Sequence, residues 1–411
     1  MIPYLRGILG VGVLLFIAWA LSSDRRKVPW RIIVWGIVLQ LTLALFILKT
    51  PLGGAIFEAI RQGAVKLISF SGAGAEFMFG VLGKNGVRLQ LQDPGGHPVA
   101  FGFAVAFQVL PVIVFFSALI AILYHFGVLQ RIVAGFAFVM RKTMKISGAE
   151  SLAVAANIFV GNVESPLVVR PYLSAMTRSE LATVMVAGFG TIAGSVMAAY
   201  VGFGVDAGHL LAASVMSAPA AVVIAKVMFP ESDTPATMTG AVLQTEEQAV
   251  NIIDAAAGGA IQGLKIAATV GAMLIAFLSL LALVNHLLDF FDTSLGELFG
   301  YVFAPIAWCL GVDSADTMTV GRLLGTKVAV NELVAYLDLM KLTPQLSPRS
   351  VVIATFALCG FANFGSIAIA IGGIGAIVPS RRPELAQIGP KAMVGGAMAS
   401  FMTAAIAGMM L

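Results

Sequence analysis

Two glutamates stand where a chain this apolar has few charges. Glu164 lies in Gly161-Asn162-Val163-Glu164-Ser165-Pro166 and Glu332 follows Asn331, and both polar tips are flanked by short apolar runs. A carboxylate at membrane depth costs roughly 2.5 to 3.5 kcal/mol even on a lenient insertion scale, so it faces a cavity or a substrate path. The simpler alternative is that each glutamate caps the helix after its tip, where the positive end of the dipole favours an anion. A polar residue follows each of them by 31 positions inside a long apolar stretch, Ser195 after Glu164 and Asn363 after Glu332. That shared spacing fits an inverted repeat, in which interrupted segments at matching places in two halves mark a transporter binding site.

The residues around these tips suggest an ion and a substrate. Asn157, one turn before Gly161, can present its amide oxygen beside free carbonyls near Val160, and Thr191 with the interrupted backbone at Ile192 can complete an oxygen cage. A cage with no soft ligand and few carboxylates suits Na+. Two glutamates and no arginine at the tips repel an anionic substrate. A neutral, donor-rich molecule fits better, with hydroxyls donating to Glu332, ring N–H groups donating to Glu164 and Phe361 stacking on a flat ring. The chain has no HExxH, P-loop or paired metal-ligand spacing on a span, so an enzyme or an ATP-driven pump is not expected.

Lipid is the solvent that positions these groups. Of 411 residues, 59% are hydrophobic and 11% charged, against about 25% charged in soluble domains. A net charge of +4, scattered among loops, gives no nucleic-acid surface. Cys309 and Cys359 lie in apolar runs and read as packing residues. Spans are expected at 7–21, 32–48, 101–123, 183–201, 210–225, 266–284, 351–378 and 392–411. Surface helices are expected at 52–70, 128–142 and 246–254, a turn-rich loop at 83–98 and a flexible linker at 230–239. Stretches 150–172 and 317–339 are too polar to span and read as re-entrant hairpins, the first with Ser165 capping a helix that begins at Pro166. Glu150, Asp254 and Lys265 read as interfacial.

The fold class is therefore an all-α integral membrane protein: eight transmembrane helices, two opposed re-entrant hairpins, interfacial helices and an inverted-repeat transport domain. Basic clusters at Arg25-Arg26-Lys27, at Arg141, Lys142 and Lys145, and at Arg381-Arg382 place those loops inside and both termini outside. The chain divides into 1–50 (two transmembrane helices), 51–143 (interfacial helices around a scaffold helix) and 144–229 (first hairpin and following helices). The remainder is 230–310 (linker, interfacial and scaffold helices), 311–378 (second hairpin and interrupted helix) and 379–411 (the last span).

Four blocks, ANIFVGNVESPL at 156–167, NIIDAAAGG at 251–259, VNELVAY at 330–336 and LCGFANFGSI at 358–367, closely resemble the concentrative nucleoside transporters. The resemblance implies a cell-membrane homotrimer, in the inner membrane if the source is Gram-negative. Each protomer would couple Na+ entry to uptake of nucleosides such as uridine, cytidine or adenosine by an elevator-like movement. It implies base contacts from Gly161, Asn162, Val163 and Glu164, ribose contacts from Glu332, Asn363 and Ser366, and apolar lining from Phe361, Val196 and Ile266. Asn157, Val160, Thr191 and Ile192 match the Na+ site. The family often has Gln then Thr or Ser before the first glutamate. Here Asn162 is a methylene shorter and Val163 has no hydroxyl, so the base contacts differ at that tip.

Overall fold

The computed structural model describes residues 2–84, 89–92, 98–101, 105–162, 164–238, 241 and 249–411. Val163 and residues 246–248 of the predicted surface helix 246–254 lie outside them. The chain opens with α1 (Ile2–Ala20), α2 (Trp30–Lys49) and α3 (Pro51–Phe79). A two-stranded antiparallel hairpin follows, β1 (Leu89–Gln92) with β2 (Pro98–Phe101), Leu89 facing Phe101. It occupies the end of the predicted loop. Next come α4 (Val105–Gln108), α5 (Leu110–His125) and α6 (Val128–Met144), the last amphipathic with Leu129, Val133, Ala137, Met140 and Met144 buried.

The order of elements then repeats. First come α7 (Gly148–Ala156), a 3-10 helix Ser165–Tyr172, α8 (Arg178–Gly190), α9 (Gly194–Gly202) and the long α10 (Ala207–Met228). Two connecting helices follow, α11 (Ile252–Leu288) and α12 (Leu295–Cys309). The second set is α13 (Thr317–Ala329), α14 (Glu332–Leu342), α15 (Pro348–Leu358), α16 (Phe364–Ile377) and α17 (Arg382–Met410). Each set is thus two short helices around a tip, a helix broken midway, and a long helix. The long helices α10 and α17 pack on each other and on α8, and nearly all of α10 and of α17 from Ala392 on is buried. Such all-round apolar helices belong at the centre of a bundle.

Among the described residues, seven helical stretches are long and apolar enough to cross a membrane: Trp30–Lys49, Pro51–Gly83, Val105–His125, Arg178–Gly202, Ala207–Met228, Ile252–Phe291 and Pro379–Met410. Six coincide with predicted spans. Pro51–Gly83 was expected as a surface helix ending at residue 70, but the run of small and apolar residues after Phe70 carries α3 on to Phe79. The predicted span 351–378 is two helices, α15 and α16, interrupted at 359–363. Helix α12 had no place in the sequence reading, because Pro305 and two glycines break its apolar pattern. The expected linker is anchored: Gly148 N–H donates to the Thr237 carbonyl at 2.8 Å and Ala149 N–H to its hydroxyl at 3.0 Å. Exposed leucines and isoleucines line α11, among them Ile261, Leu264, Ile275 and Leu283, while its other side packs on α5.

Candidate functional site

The first tip is built from irregular backbone. α7 starts in a capping box between Ser147 and Glu150 and ends at Asn157, after which the chain turns through Val160. Ser165 does not cap the second arm. That arm is a 3-10 helix whose N-cap is Glu164 with no side-chain cap bond, and the buried Ser165 hydroxyl has no partner. Pro166 and Pro171 each remove a backbone donor, and Val169 departs from helical angles at φ −119, so a regular α-helix cannot form. The half-buried Glu164 carboxylate lies against Gly161, where a Cβ would overlap it, and shares a cavity wall with Gln262 of α11.

Glu164 faces a cavity of about 580 Å³, within the range of small-molecule sites. Its walls are Ser117, Ile120 and Tyr124 of α5, Phe159 to Gly161 at the tip, Ala193 and Ser195 at the start of α9, and Gly258, Gln262 and Ile266 of α11. Asp254, expected at an interface, is exposed in the first turn of α11 and reaches the same cavity. Behind the tip, α8 stops at Gly190 and α9 begins at Gly194, leaving 191–193 unwound. Thr191 hydroxyl donates to the Ala187 carbonyl at 2.8 Å, so its oxygen lone pairs are free. The Asn157 amide nitrogen donates to Ala153 at 3.3 Å, while its Oδ1 is buried with no partner and lies 3.8 Å from where a Cβ of Gly188 would be. Phe159 carbonyl accepts from Gly194 N–H at 2.9 Å and ties tip to break. An orphaned buried amide oxygen beside an unwound backbone and a threonine fits a hard monovalent cation.

The second tip is more regular. α13 ends at Ala329, Val330 turns the chain at φ −107 and ψ −87, and Asn331 caps α14 by accepting from Val334 N–H at 2.9 Å. Because Asn331 makes the cap, the Glu332 side chain is released from that task. Its Oε1 accepts from the Tyr200 hydroxyl at 2.8 Å and its Oε2 from the Asn363 amide at 3.0 Å. Asn363 in turn caps α16, its Oδ1 accepting from Ser366 N–H at 2.9 Å and from the Ser366 hydroxyl at 3.0 Å. All three side chains are buried. Each Glu332 oxygen has taken one of roughly two bonds it can accept, so acceptor capacity is left over.

Glu332 and Asn363, whose 31-residue spacing was read as a sign of an inverted repeat, are in direct contact. Glu164 and Ser195, with the same spacing, share the cavity wall. Gly161, Glu164, Val160 and Ile266 meet around the cavity, whereas Glu332, Asn363 and Ser366 form a cluster outside its lining. Helix α9 joins the two groups: Ser195 lines the cavity, Val196 is buried beside it, and Tyr200 reaches Glu332 about 7.5 Å further along the axis. Phe361 is half-buried in the unwound 359–363 segment and Asn162 packs against Gly188.

Sequence reasoning missed Tyr200, whose signal was a single phenol among small residues in α9, and Gln262. It also misplaced Glu150. That residue is not interfacial but 1% exposed and paired with Lys226 at 2.8 Å. Lys226 also reaches Glu231 at 3.2 Å and Ser179 at 3.0 Å, and Glu180 accepts from Ser147 at 2.5 Å. This buried ionic cluster joins the base of the first hairpin to α8 and α10. Removing one partner of such a pair costs about 3 to 5 kcal/mol, because it strands a buried charge.

Three segments of the chain match family models. These are the Na+ dependent nucleoside transporter N-terminus over residues 9–82, nucleoside recognition over 106–207, and the Na+ dependent nucleoside transporter C-terminus over 209–408. An uncharacterized transporter of Haemophilus influenzae is 43% identical over 99% of this chain and 98% of its own length. Solute carrier family 28 member 3 of Rattus norvegicus is 41% identical over 97% of this chain, which spans 57% of that longer relative. Sodium/nucleoside cotransporter 1 of the same species is 38% identical over 98% of this chain, which spans 63% of it. CNTnw in an inward-facing substrate-bound state has a TM-score of 0.91 at 39% identity, over 99% of this chain and 98% of that one. A doubly substituted CNTnw in an outward-facing state has a TM-score of 0.92 at 39% identity, over 100% and 98% of the two chains. These relatives are transporters and not enzymes, and with family models matching most of its length this multi-pass membrane protein belongs to the Na+ dependent nucleoside transporter family.

Proposed function

We propose that this nucleoside transporter is a Na+ symporter that takes up nucleosides into the cell, with one ion site at the first hairpin and a substrate site between the two tips. The observation that carries the ion assignment is the buried, partnerless Asn157 Oδ1 beside the unwound 191–193 segment. Na+ would be held by that oxygen, the Thr191 hydroxyl and the carbonyls of Val160 and Ile192. Filling the cage ties α7 to α8, and so sets the tip that carries Gly161, Asn162 and Glu164.

The nucleoside base would enter the cavity against Glu164 and Ile266, and its ribose hydroxyls would donate to Glu332, with Asn363 and Ser366 beside it. Glu332 is prepared for this by Tyr200 and Asn363, which hold the carboxylate in place and leave lone pairs open. Charge-assisted hydrogen bonds in a desolvated site reward hydroxyl donors strongly. Val196 and Phe361 supply apolar surface near the sugar and base. The hairpin units at 144–229 and 311–378 move together past α5 and α11 in an elevator-like step, within a homotrimer of the cell membrane with both termini outside.

Reconstitution into proteoliposomes tests this directly. Labelled uridine should accumulate several-fold above equilibrium when Na+ is higher outside and should merely equilibrate, or stay out, with choline in its place. Accumulation driven by a proton gradient without Na+ would replace the ion assignment, and failure of uridine, cytidine and adenosine alike would remove the substrate assignment.

A further inference from the structure

α6 is a surface helix whose charge nothing in the chain balances. Away from its buried stripe it exposes Ile132, Phe138 and Val139, and between Val128 and Lys145 the chain holds four cations and no carboxylate. Large apolar side chains and cations together on an exposed helix face suit the headgroup layer of a membrane. Other surface cations have acids beside them: Arg61 pairs with Glu58 at 2.6 Å, Lys341 with Asp338 at 2.8 Å and Arg381 with Glu384 at 2.7 Å. Among the described residues, no carboxylate comes within ion-pair distance of Arg31, Lys142 or Lys145.

These three cations meet because α2 joins α6 there. Arg31, in the first turn of α2, donates from Nε to the Thr143 carbonyl at 3.2 Å, and a Cβ at Gly36 further along α2 would stand 3.2 Å from Met144. That bond uses one of the five guanidinium N–H groups and leaves the rest of the fork for another acceptor. Lys142 stands 5.6 Å from the centre of the Phe138 ring. Lys145 ends α6 in the left-handed region at φ +55, where glycine is the unstrained choice, so a cation is kept at this corner at the expense of backbone strain. Trp30, beside Arg31, is 70% exposed, as befits an aromatic anchor at headgroup level.

We infer that Arg31, Lys142 and Lys145 form a site for an anionic phospholipid, with its phosphate on the three cations and an acyl chain along Phe138 and Val139. The lipid supplies the counter-charge that α6 lacks, and a guanidinium fork suits phosphate oxygens. The apolar residues beside the cations select a lipid over a free anion. Two residues beyond Lys145, Ser147 opens the first hairpin, so a lipid held here pins the joint between α6 and the unit that moves. That consequence rests on the transport cycle proposed above, whereas the binding itself does not.

Titrating detergent-solubilised protein with short-chain phosphatidylglycerol, phosphatidylcholine and inorganic phosphate tests the site. Three cations near the membrane surface predict phosphatidylglycerol binding roughly a hundredfold tighter than phosphatidylcholine. Exchanging Arg31→Gln, Lys142→Gln and Lys145→Gln together should bring the two lipids level. Arg131→Gln, about 16 Å from Lys142 along α6, should leave the preference near wild type. Equal binding of the two lipids by the wild type overturns the inference, even if the triple variant does not fold. A preference that survives the triple exchange overturns it too, and so does displacement of phosphatidylglycerol by inorganic phosphate at equal concentration, which would mark a simple anion site. Uridine uptake then reads the joint: phosphatidylglycerol added to phosphatidylcholine liposomes should speed the wild type several-fold and leave the triple variant unchanged. The same response in both overturns the pinning. Failure of uptake in every membrane would remove the transport reading instead, and the titration would still decide the lipid site.

Discussion

The two hairpins use similar residues and differ in how finished they are. At the second tip every group near the glutamate has a partner: Asn331 caps α14, Tyr200 and Asn363 hold Glu332, and Ser366 closes the network on Asn363. At the first tip Asn157 Oδ1 and Ser165 Oγ are buried without partners, and the second arm is a kinked 3-10 helix. Buried polar groups are nearly always satisfied, so the orphans mark places a ligand completes. On the function proposed above, the comparison separates two tasks: the second hairpin would be pre-organised for a substrate, and the first left for an ion to organise.

The largest effect should come from breaking the finished side. Glu332→Ala leaves the Tyr200 hydroxyl and Asn363 amide without their acceptor and removes the charge that ribose hydroxyls would meet. Two charge-assisted bonds at about 1.5 to 3 kcal/mol each imply at least a hundredfold loss of uridine affinity. Isothermal titration in saturating Na+ reads this, and an affinity within threefold of wild type would place the substrate elsewhere. The protein should still fold, because Asn331 rather than Glu332 caps α14.

The unfinished side should respond to Na+ instead. Asn157→Ala removes the orphaned oxygen and should raise half-saturating Na+ about tenfold while leaving uridine affinity at saturating Na+ near wild type. In the wild type, Na+ should slow amide hydrogen exchange at 157–165 and leave 327–334 little changed, since the second tip is already bonded. Equal protection of both tips would erase the contrast between the hairpins.

Much of this was legible in the sequence because its signals are local. Glu164 and Glu332 stood out as charges in apolar stretches, and the 31-residue spacing suggested a repeat, though not the direct bond between Glu332 and Asn363. Helix breaks at 191–193 and 359–363 were announced by glycine and polar residues inside apolar runs. What failed needed distant partners. Glu150 is buried because Lys226, 76 positions away in the chain, arrives beside it; a lysine at the end of an apolar helix reads equally well as reaching for solvent. Ser165 before a proline is a fair cap by pattern, but Pro171 and the kink at Val169 tighten the arm into a 3-10 helix and leave the hydroxyl unused. Helix α12 was lost because Pro305 and two glycines break a window that only packing against α13 explains.

The smallest effect probes how the first tip is held from outside its own unit. Gln262 belongs to α11 and lines the same cavity as Glu164. If the tip moves past α11 during transport, their proximity exists only in part of the cycle and contributes to occupancy of one state rather than to substrate recognition. Gln262→Ala removes one polar neighbour in a partly exposed setting, worth about 0.5 kcal/mol, so uridine affinity should fall no more than about threefold. The distribution between states should shift instead. A cysteine introduced at Ser195, on the cavity wall, would report this through its labelling rate by a membrane-impermeant thiol reagent from each side, with and without Gln262→Ala. A changed inside-to-outside labelling ratio at nearly constant affinity supports a contact that breaks as the tip moves. An unchanged ratio with a large loss of affinity would instead make Gln262 part of the nucleoside site, and the first hairpin would then be fixed to α11 rather than free to travel past it.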